Sequence, residues 1–279
     1  AGSGQRPGDR TRGPESAVMD LTEYGGAGLI GVLTPQANTT VEPEFWALLP
    51  PGWSLVNARL TSDKPTIEAR LVDYTTRFGE TAARFANAPV DVLAAACTGA
   101  SYLIGAEAEA RIVDEVEAAR NVPFVTAARA SVAALRAMGA RRLALLSPYP
   151  ESLDARSTPY WEGHGFEVVA KAGPALASRA FHPIYAMTGE AVLSSYRRLS
   201  QGGADAVLML GTGMATLAPI LAGRAEGLTP AVSCNLALAW AAVQAGHRGA
   251  PAPAGLEDWL AGAHWAPRLR ALFPDPARG

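Results

Sequence analysis

Eight short apolar runs punctuate the chain: LIGVLTP, SLVNARL, DVLAAACT, PFVTA, RLALLSPY, FEVVAKAG, DAVLMLGT and PAVSCN. Most are continuously apolar rather than alternating, the pattern of strands covered on both faces. Between them lie stretches whose apolar positions recur at helical spacing, such as TTRFGETAARFANA and ARASVAALRAMGARR. Strands that alternate with helices predict parallel pairing, so the pattern assigns the chain to the α/β class.

The apolar pattern also repeats. Asp91-Val-Leu-Ala-Ala-Ala-Cys97-Thr98-Gly99 aligns without gaps on Asp205-Ala-Val-Leu-Met-Leu-Gly211-Thr212-Gly213, an offset of 114 (205 − 91). GVLTPQ, with Pro35, matches ALLSPY, with Pro148, at 113 (148 − 35). PFVTA, starting at Pro123, matches PAVSC, starting at Pro230, at 107 (230 − 123). Three matches in one order at nearly one offset read as two copies of one α/β unit. The predicted division is an extension over 1–24, a first lobe over 25–127 completed by 236–270, a second lobe over 128–235 and a tail over 271–279. Open parallel sheets bind ligands beyond the carboxyl ends of their strands, so the facing loops of two such copies would share a cleft.

Composition narrows the function classes. The chain has 279 residues, 49% of them hydrophobic, and a net charge of −2, enough apolar mass for a sizeable core and no bias toward polyanions. Positive charge is nearly all arginine, with no basic cluster interleaved with aromatics, so nucleic acid is excluded as a partner. Cys97 and Cys234 lack companion cysteines or histidines at metal-ligand spacing, so no metal is expected. No apolar stretch has the length of a membrane span and the first residues lack a secretory h-region, so the expectation is a cytoplasmic protein without membrane contact. Residues 1–24, rich in Gly, Arg, Pro and Ser, predict a disordered extension. The sequence leaves open whether the chain acts alone or as a homo-oligomer.

Candidate chemistry gathers at the repeated loops. Cys97 follows a strand and precedes a helix expected to start near Ser101, whose N-terminal amides would lower its pKa. A small buried apolar residue is the plainer reading, and the repeat position tips the choice toward chemistry. Thr98-Gly99 and Thr212-Gly213 offer hydroxyls and close backbone approach for an anion, although turn geometry also explains the glycines. Thr39-x-x-Glu42 has the capping-box pattern with Pro43 in the first turn, so a helix should begin beyond Pro35 at the end of the first strand. Asn38 and Thr39 or Thr40 are then either caps or carboxylate ligands, and Tyr149 in the matching loop is either a turn aromatic or a donor to the same carboxylate. GTGMAT lacks the third glycine and the acidic residue of a dinucleotide fingerprint, so no nicotinamide site is expected. The four histidines read as surface or turn residues, with His182 in a loop placed to cover the cleft. Cys234 reads as core packing.

From Leu29 to Ala245 the chain resembles the aspartate/glutamate racemase superfamily, in the branch of maleate cis-trans isomerases and arylmalonate decarboxylase. TPQANTTVEPE resembles the isomerase opening motif, with Asn38 as its carboxylate asparagine. ACTGASY resembles the first catalytic loop, LLSPY carries the family tyrosine as Tyr149, and LMLGTGMATL resembles the second catalytic loop. The resemblance implies two pseudo-symmetric Rossmann-like (flavodoxin-like) lobes, each a parallel sheet covered by helices, with a cofactor-free site between them. It implies Cys97 as the catalytic residue and Pro35, Asn38, Thr39, Thr98, Gly99, Tyr149, Gly211, Thr212 and Gly213 as residues around a small dicarboxylate. Two departures stand out. Isomerases and racemases carry a cysteine in each loop, whereas the second here is Gly211, and Ala128 with Arg129 stand where relatives carry Ser or Thr. A single thiolate can add to an alkene and leave again, or a single thiol can protonate an enediolate after decarboxylation. NTTVEPE puts the isomerase first, the decarboxylase second, and a non-catalytic two-lobe anion-binding protein third.

Overall fold

The computed structural model describes residues 23–174, 183–248 and 254–274. Most of the predicted extension and tail lie outside the described residues, as does His182. The first half runs β1 (Gly28–Pro35), α1 (Val41–Leu48), β2 (Trp53–Leu60), α2 (Ile67–Thr76), α3 (Phe78–Ala83), β3 (Val92–Ala95), α4 (Thr98–Ile104), α5 (Ala106–Arg120), β4 (Phe124–Thr126) and α6 (Ala127–Ala137). The second runs β5 (Arg142–Leu146), α7 (Glu151–Gly163), β6 (Glu167–Ala172), a 3-10 turn (Pro183–Ala186), α8 (Gly189–Leu199), β7 (Ala206–Met209), α9 (Leu217–Ala225), β8 (Ala231–Ser233) and α10 (Cys234–Gly246). α11 (Leu256–Ala261) and α12 (Ala266–Leu272) follow.

Among the described residues all eight apolar runs are strands, in two parallel four-stranded sheets of orders β2-β1-β3-β4 and β6-β5-β7-β8. The two orders are the same when counted from the start of each half, and the duplication extends to single hydrogen bonds. Asp91 Oδ2 accepts from Leu29 N (2.7 Å), tying the approach to β3 to the start of β1. Asp205 Oδ2 accepts from Arg141 N (2.9 Å) and Arg142 N (2.8 Å), tying the approach to β7 to the start of β5. Ala96 N donates to Leu33 O (2.9 Å) and its counterpart Leu210 N to Leu146 O (2.8 Å), so in both halves the central strand ends level with its neighbour.

β3 and β7 are buried throughout, as continuous apolar runs require. Helix α10 is apolar nearly all round and correspondingly sits inside, packed on α6, α1 and the strands β1 and β3 of the first sheet. Its end comes so close to that sheet that a Cβ on Gly246 would meet Val92 Cγ1 at 2.6 Å, so only glycine fits there. The last helix of the second half thereby covers the first sheet, and α6 sits between β4 and β8. This exchange holds the halves edge to edge with their strand-end loops facing each other. Among the described residues no helix is long and apolar enough to cross a membrane.

Candidate active site

The facing loops enclose a narrow cleft with ≈ 50 Å³ of space for the centres of water-sized molecules. Pro35, Asn38, Cys97, Thr98, Gly99, Tyr149, Gly211, Thr212 and Gly213 all line it, so nine of the ten residues singled out in the sequence come together from four loops. The tenth, Thr39, is exposed and off the cleft. Its expected capping box does not form. Asn38 Oδ1 accepts from Thr40 N (2.9 Å) and Val41 N (3.2 Å), and Glu42 pairs with Arg59 of β2 instead of reaching back. Asn38 wins because its side chain already follows a turn closed by its own N–H on Pro35 O (3.0 Å), and an Asx oxygen reaches the next amides at less cost than a Glu folding back.

Asn38 does more than cap. Its Nδ2 donates to Thr212 Oγ1 across the lobe boundary (3.0 Å), and Thr212 Oγ1 donates onward to Ala96 O (2.7 Å), just before Cys97. Thr40 Oγ1, rather than Thr39, crosses to Gly213 O (2.8 Å). One hydroxyl thus links both repeated loops to the opening motif.

Cys97 stands at the N-cap of α4, which begins at Thr98 and not near Ser101. Only 4% exposed, it nonetheless lines the cleft. The expected lowering of its pKa is reversed. Burial pushes the thiol up to about 12, and the Ala100 N–H directed at it offsets only part of that rise. The sulfur is therefore a thiol at neutral pH until a proton acceptor or a change in polarity removes its proton.

Tyr149 lies between the two loops. Its hydroxyl is 3.4 Å from where a Cβ on Gly99 would sit and 3.1 Å from that of Gly211. Burial raises this phenol well above its ordinary value, with smaller contributions from Cys234 and Cys97, so it is a donor throughout the physiological range. Gly211 has φ +77°, a conformation natural to glycine and strained for other residues, and Pro148 Cγ closes in at 3.2 Å from the would-be Cβ. Both facts explain why this loop carries no side chain where the first carries a thiol.

Several lining residues escaped the sequence reading. Ile67, Arg70, Leu71 and Tyr74 come from α2, and Ile184 and Tyr185 from the 3-10 turn. For α2 the signal was present as an i, i+3, i+4, i+7 stripe, but nothing local says what that stripe faces. Glu44 was also missed. It is buried in α1, and its Oε1 accepts from Thr216 N (2.5 Å) and Leu217 N (3.2 Å), capping α9 of the other half, while Asn235 Nδ2 donates to its Oε2 (2.7 Å) and to Thr212 O (3.1 Å). Desolvation drives the Glu44 pKa up against the pull of these donors. Buried Glu109 similarly gathers Ser101 (2.7 Å), Thr126 (2.5 Å) and Tyr160 (2.7 Å) behind the first loop.

Cys234 is fully buried at the start of α10, accepting from Ser131 Oγ (3.6 Å) beneath the Gly211 loop, and burial raises its thiol as well. Both cysteines are free. Ala128 is buried and Arg129 exposed, and neither lines the cleft. His164, His247 and His264 bond to the carbonyls of Tyr160, Gln244 and Leu48, away from it.

Residues 30–255 match the model of a family described as arylmalonate decarboxylase. The chain belongs to that family. Among relatives of the family member, a maleate isomerase of Pseudomonas putida is 31% identical over 153 residues, 50% of this chain and 60% of that protein. The match thus spans less than two thirds of that relative's length. A Nocardia farcinica maleate cis-trans isomerase variant, solved with a covalently bound succinylcysteine intermediate, superposes with TM-score 0.67 at 26% identity over 77% of this chain and 90% of that one. A solved arylmalonate decarboxylase superposes with TM-score 0.68 at 22% identity, covering 82% and 96% of the two chains. The two-lobed α/β fold of the family member is the fold of these enzymes.

Proposed function

We propose that this family member is a cofactor-independent isomerase of the maleate cis-trans type, acting on a small dicarboxylate through Cys97. The observation that carries the reading is Cys97 lining a cleft beside Asn38, Thr98 and Tyr149, three neutral polar groups placed to hold a carboxylate or an enediolate, with Thr212 fixing the Asn38 amide. The thiol passes its proton to solvent water, the resulting thiolate adds to one alkene carbon, and the π pair passes into the adjacent carboxylate as an enediolate. The former double bond rotates, the pair returns, the carbon–sulfur bond breaks and the trans acid leaves. The succinylcysteine trapped in the Nocardia farcinica enzyme, a sulfur–carbon bond of this kind, supports the route.

One observation favours a second reading. A thiol held at about 12 is well suited to donate a proton and poorly suited to attack. A decarboxylase would use it as such: a malonate-type acid loses CO2, and Cys97 protonates the resulting enediolate.

The two readings part on pH and on deuterium. With the thiol near 12 against an ordinary 9.0, the thiolate fraction rises about tenfold per pH unit through neutrality, so nucleophilic turnover of maleate should climb steadily from pH 6 to 9. Protonation by the thiol should be flat over that range. Incubation with maleate and with phenylmalonate in D2O, followed by proton NMR, tests both. Fumarate that rises with pH supports the isomerase, CO2 loss with one deuterium gained supports the decarboxylase, and inertness toward both rejects the two together.

A further inference from the structure

The Cys97 thiol sits at the head of a helix too short to hold itself in place. α4 has seven residues, stops before Gly105 and has no side-chain capping bond from Cys97, and a helix of that length depends on tertiary ties. One such tie comes from Ser101, a single turn beyond Cys97 and buried. Its Oγ donates to Glu109 Oε1 of α5 (2.7 Å). The same oxygen accepts from Thr126 Oγ1 (2.5 Å), the N-cap of α6, and Glu109 Oε2 accepts from the Tyr160 hydroxyl of α7 (2.7 Å). Four helices from both halves of the chain thus meet at one buried side chain. Tyr102, next to Ser101, extends the arrangement to the cleft: its ring packs on Tyr160 (5.3 Å between centroids) and edge-on to Tyr149 (6.1 Å).

Packing alone does not call for a carboxyl group here. Burying one costs desolvation that hydrogen bonds offset only in part, and an apolar side chain would fill the space at lower cost. What the carboxyl group adds is direction. Three hydroxyls, each with one proton to donate, converge on its two oxygens, so the helices that carry them are held in fixed orientation. The repeat supplies a comparison. Continuing the gapless offset of 114, Ser101 and Glu109 fall on Ala215 and Gly223, neither of which has a side chain able to make this bond. The tie is therefore present in the copy that carries the thiol and missing from the copy that carries Gly211.

We propose that Glu109 is a positioning residue for Cys97, acting through Ser101 to hold α4, and with it the thiol, in place against the cleft. The inference rests on the Cys97 chemistry proposed above. Its test separates the tie to α4 from the other bonds of the same carboxyl group. Ser101→Ala removes the bond to α4, whereas Tyr160→Phe removes a bond of the same kind to α7 and keeps the ring against Tyr102. On whichever of maleate and phenylmalonate is turned over, Ser101→Ala should lower kcat about tenfold or more with KM changed less than about threefold, and Tyr160→Phe should change kcat less than about threefold. Urea unfolding of both variants shows whether kcat follows the bond removed or merely the stability lost. Glu109→Met should match Ser101→Ala. Glu109→Gln, whose amide oxygen still accepts from Ser101 and Thr126 and whose amide nitrogen can donate to Tyr160, should keep kcat within about threefold of native. If Glu109→Met does not fold, Ser101→Ala, which deletes one oxygen atom, carries the test. A kcat in Ser101→Ala within about twofold of that in Tyr160→Phe, or losses that track stability across the variants, overturns the assignment. If the native enzyme turns over neither acid, the catalytic reading fails and the tie is read from the sulfur itself. Iodoacetamide should then label Cys97 at least about fivefold faster in Ser101→Ala than in Tyr160→Phe, because a released α4 uncovers the thiol, and equal or slower labelling overturns the role of Glu109 independently of the reaction.

Discussion

The loops after β3 and β7 begin as copies and end as opposites. After β3 the chain passes through Cys97 straight into α4, which starts at Thr98. After β7 it turns at Gly211 with φ +77° and runs on to Thr216 before α9 begins at Leu217. The first loop presents a thiol on a strand–helix junction. The second is an extended segment held by the other half of the protein through Asn38, Thr40 and Glu44. Duplication supplied two equivalent frames: one carries the thiol of the proposed chemistry and the other is held as a scaffold.

The strongest way to break this comparison is to remove the sulfur. Cys97→Ala should lower turnover by at least about 10³-fold, while Cys234→Ala, beneath the scaffold loop, should leave measurable activity and cost mainly stability. Steady-state kinetics on whichever of maleate and phenylmalonate is turned over reads both, and equal losses at the two cysteines would erase the proposed asymmetry. Next comes the scaffold. Glu44→Ala leaves the amides of Thr216 and Leu217 and the Asn235 amide group without an acceptor in a buried place, which should cost about 2–4 kcal/mol in urea unfolding. A variant as stable as the native chain would show that the latch is ornamental.

Restoring the apparent symmetry should fail. In Gly211→Cys the new side chain must adopt φ +77° with its Cβ 3.1 Å from the Tyr149 hydroxyl, so a loss of about 1–3 kcal/mol and weaker activity are expected. A stable, faster double-thiol enzyme would instead mean that the loop relaxes freely. The smallest effect separates neighbours. Thr40→Val, which loses the bond to Gly213 O, should cost about 1 kcal/mol, and exposed Thr39→Val less than about 0.5 kcal/mol.

These contrasts also mark what was legible beforehand. The eight strands were readable because each is an apolar run bounded by breakers, and the strand-end residues followed from the repeat. Thr39 and the start of α4 were misread because capping depends on which acceptor lies nearest in space, and Asn38 and Cys97 got there first. The Cys97 pKa was misjudged in sign for a related reason. A helix terminus is visible in sequence, whereas the depth of burial that outweighs it is not. Arg70, Tyr74 and Tyr185 were invisible as site residues because they reach the cleft from elements outside the repeated loops, and Glu44 because it supports the second loop from behind.

The sequence by itself determined that this chain is a duplicated parallel α/β protein with one thiol where symmetry would allow two. Those facts are written in local periodicity and in self-similarity, which need no third dimension. Only the tertiary structure decided that Glu44 of one half caps a helix of the other and that α2 and the 3-10 turn line the cleft. Such contacts join residues up to 191 positions apart, and their strength comes from burial and distance, quantities that exist only once the chain has closed on itself.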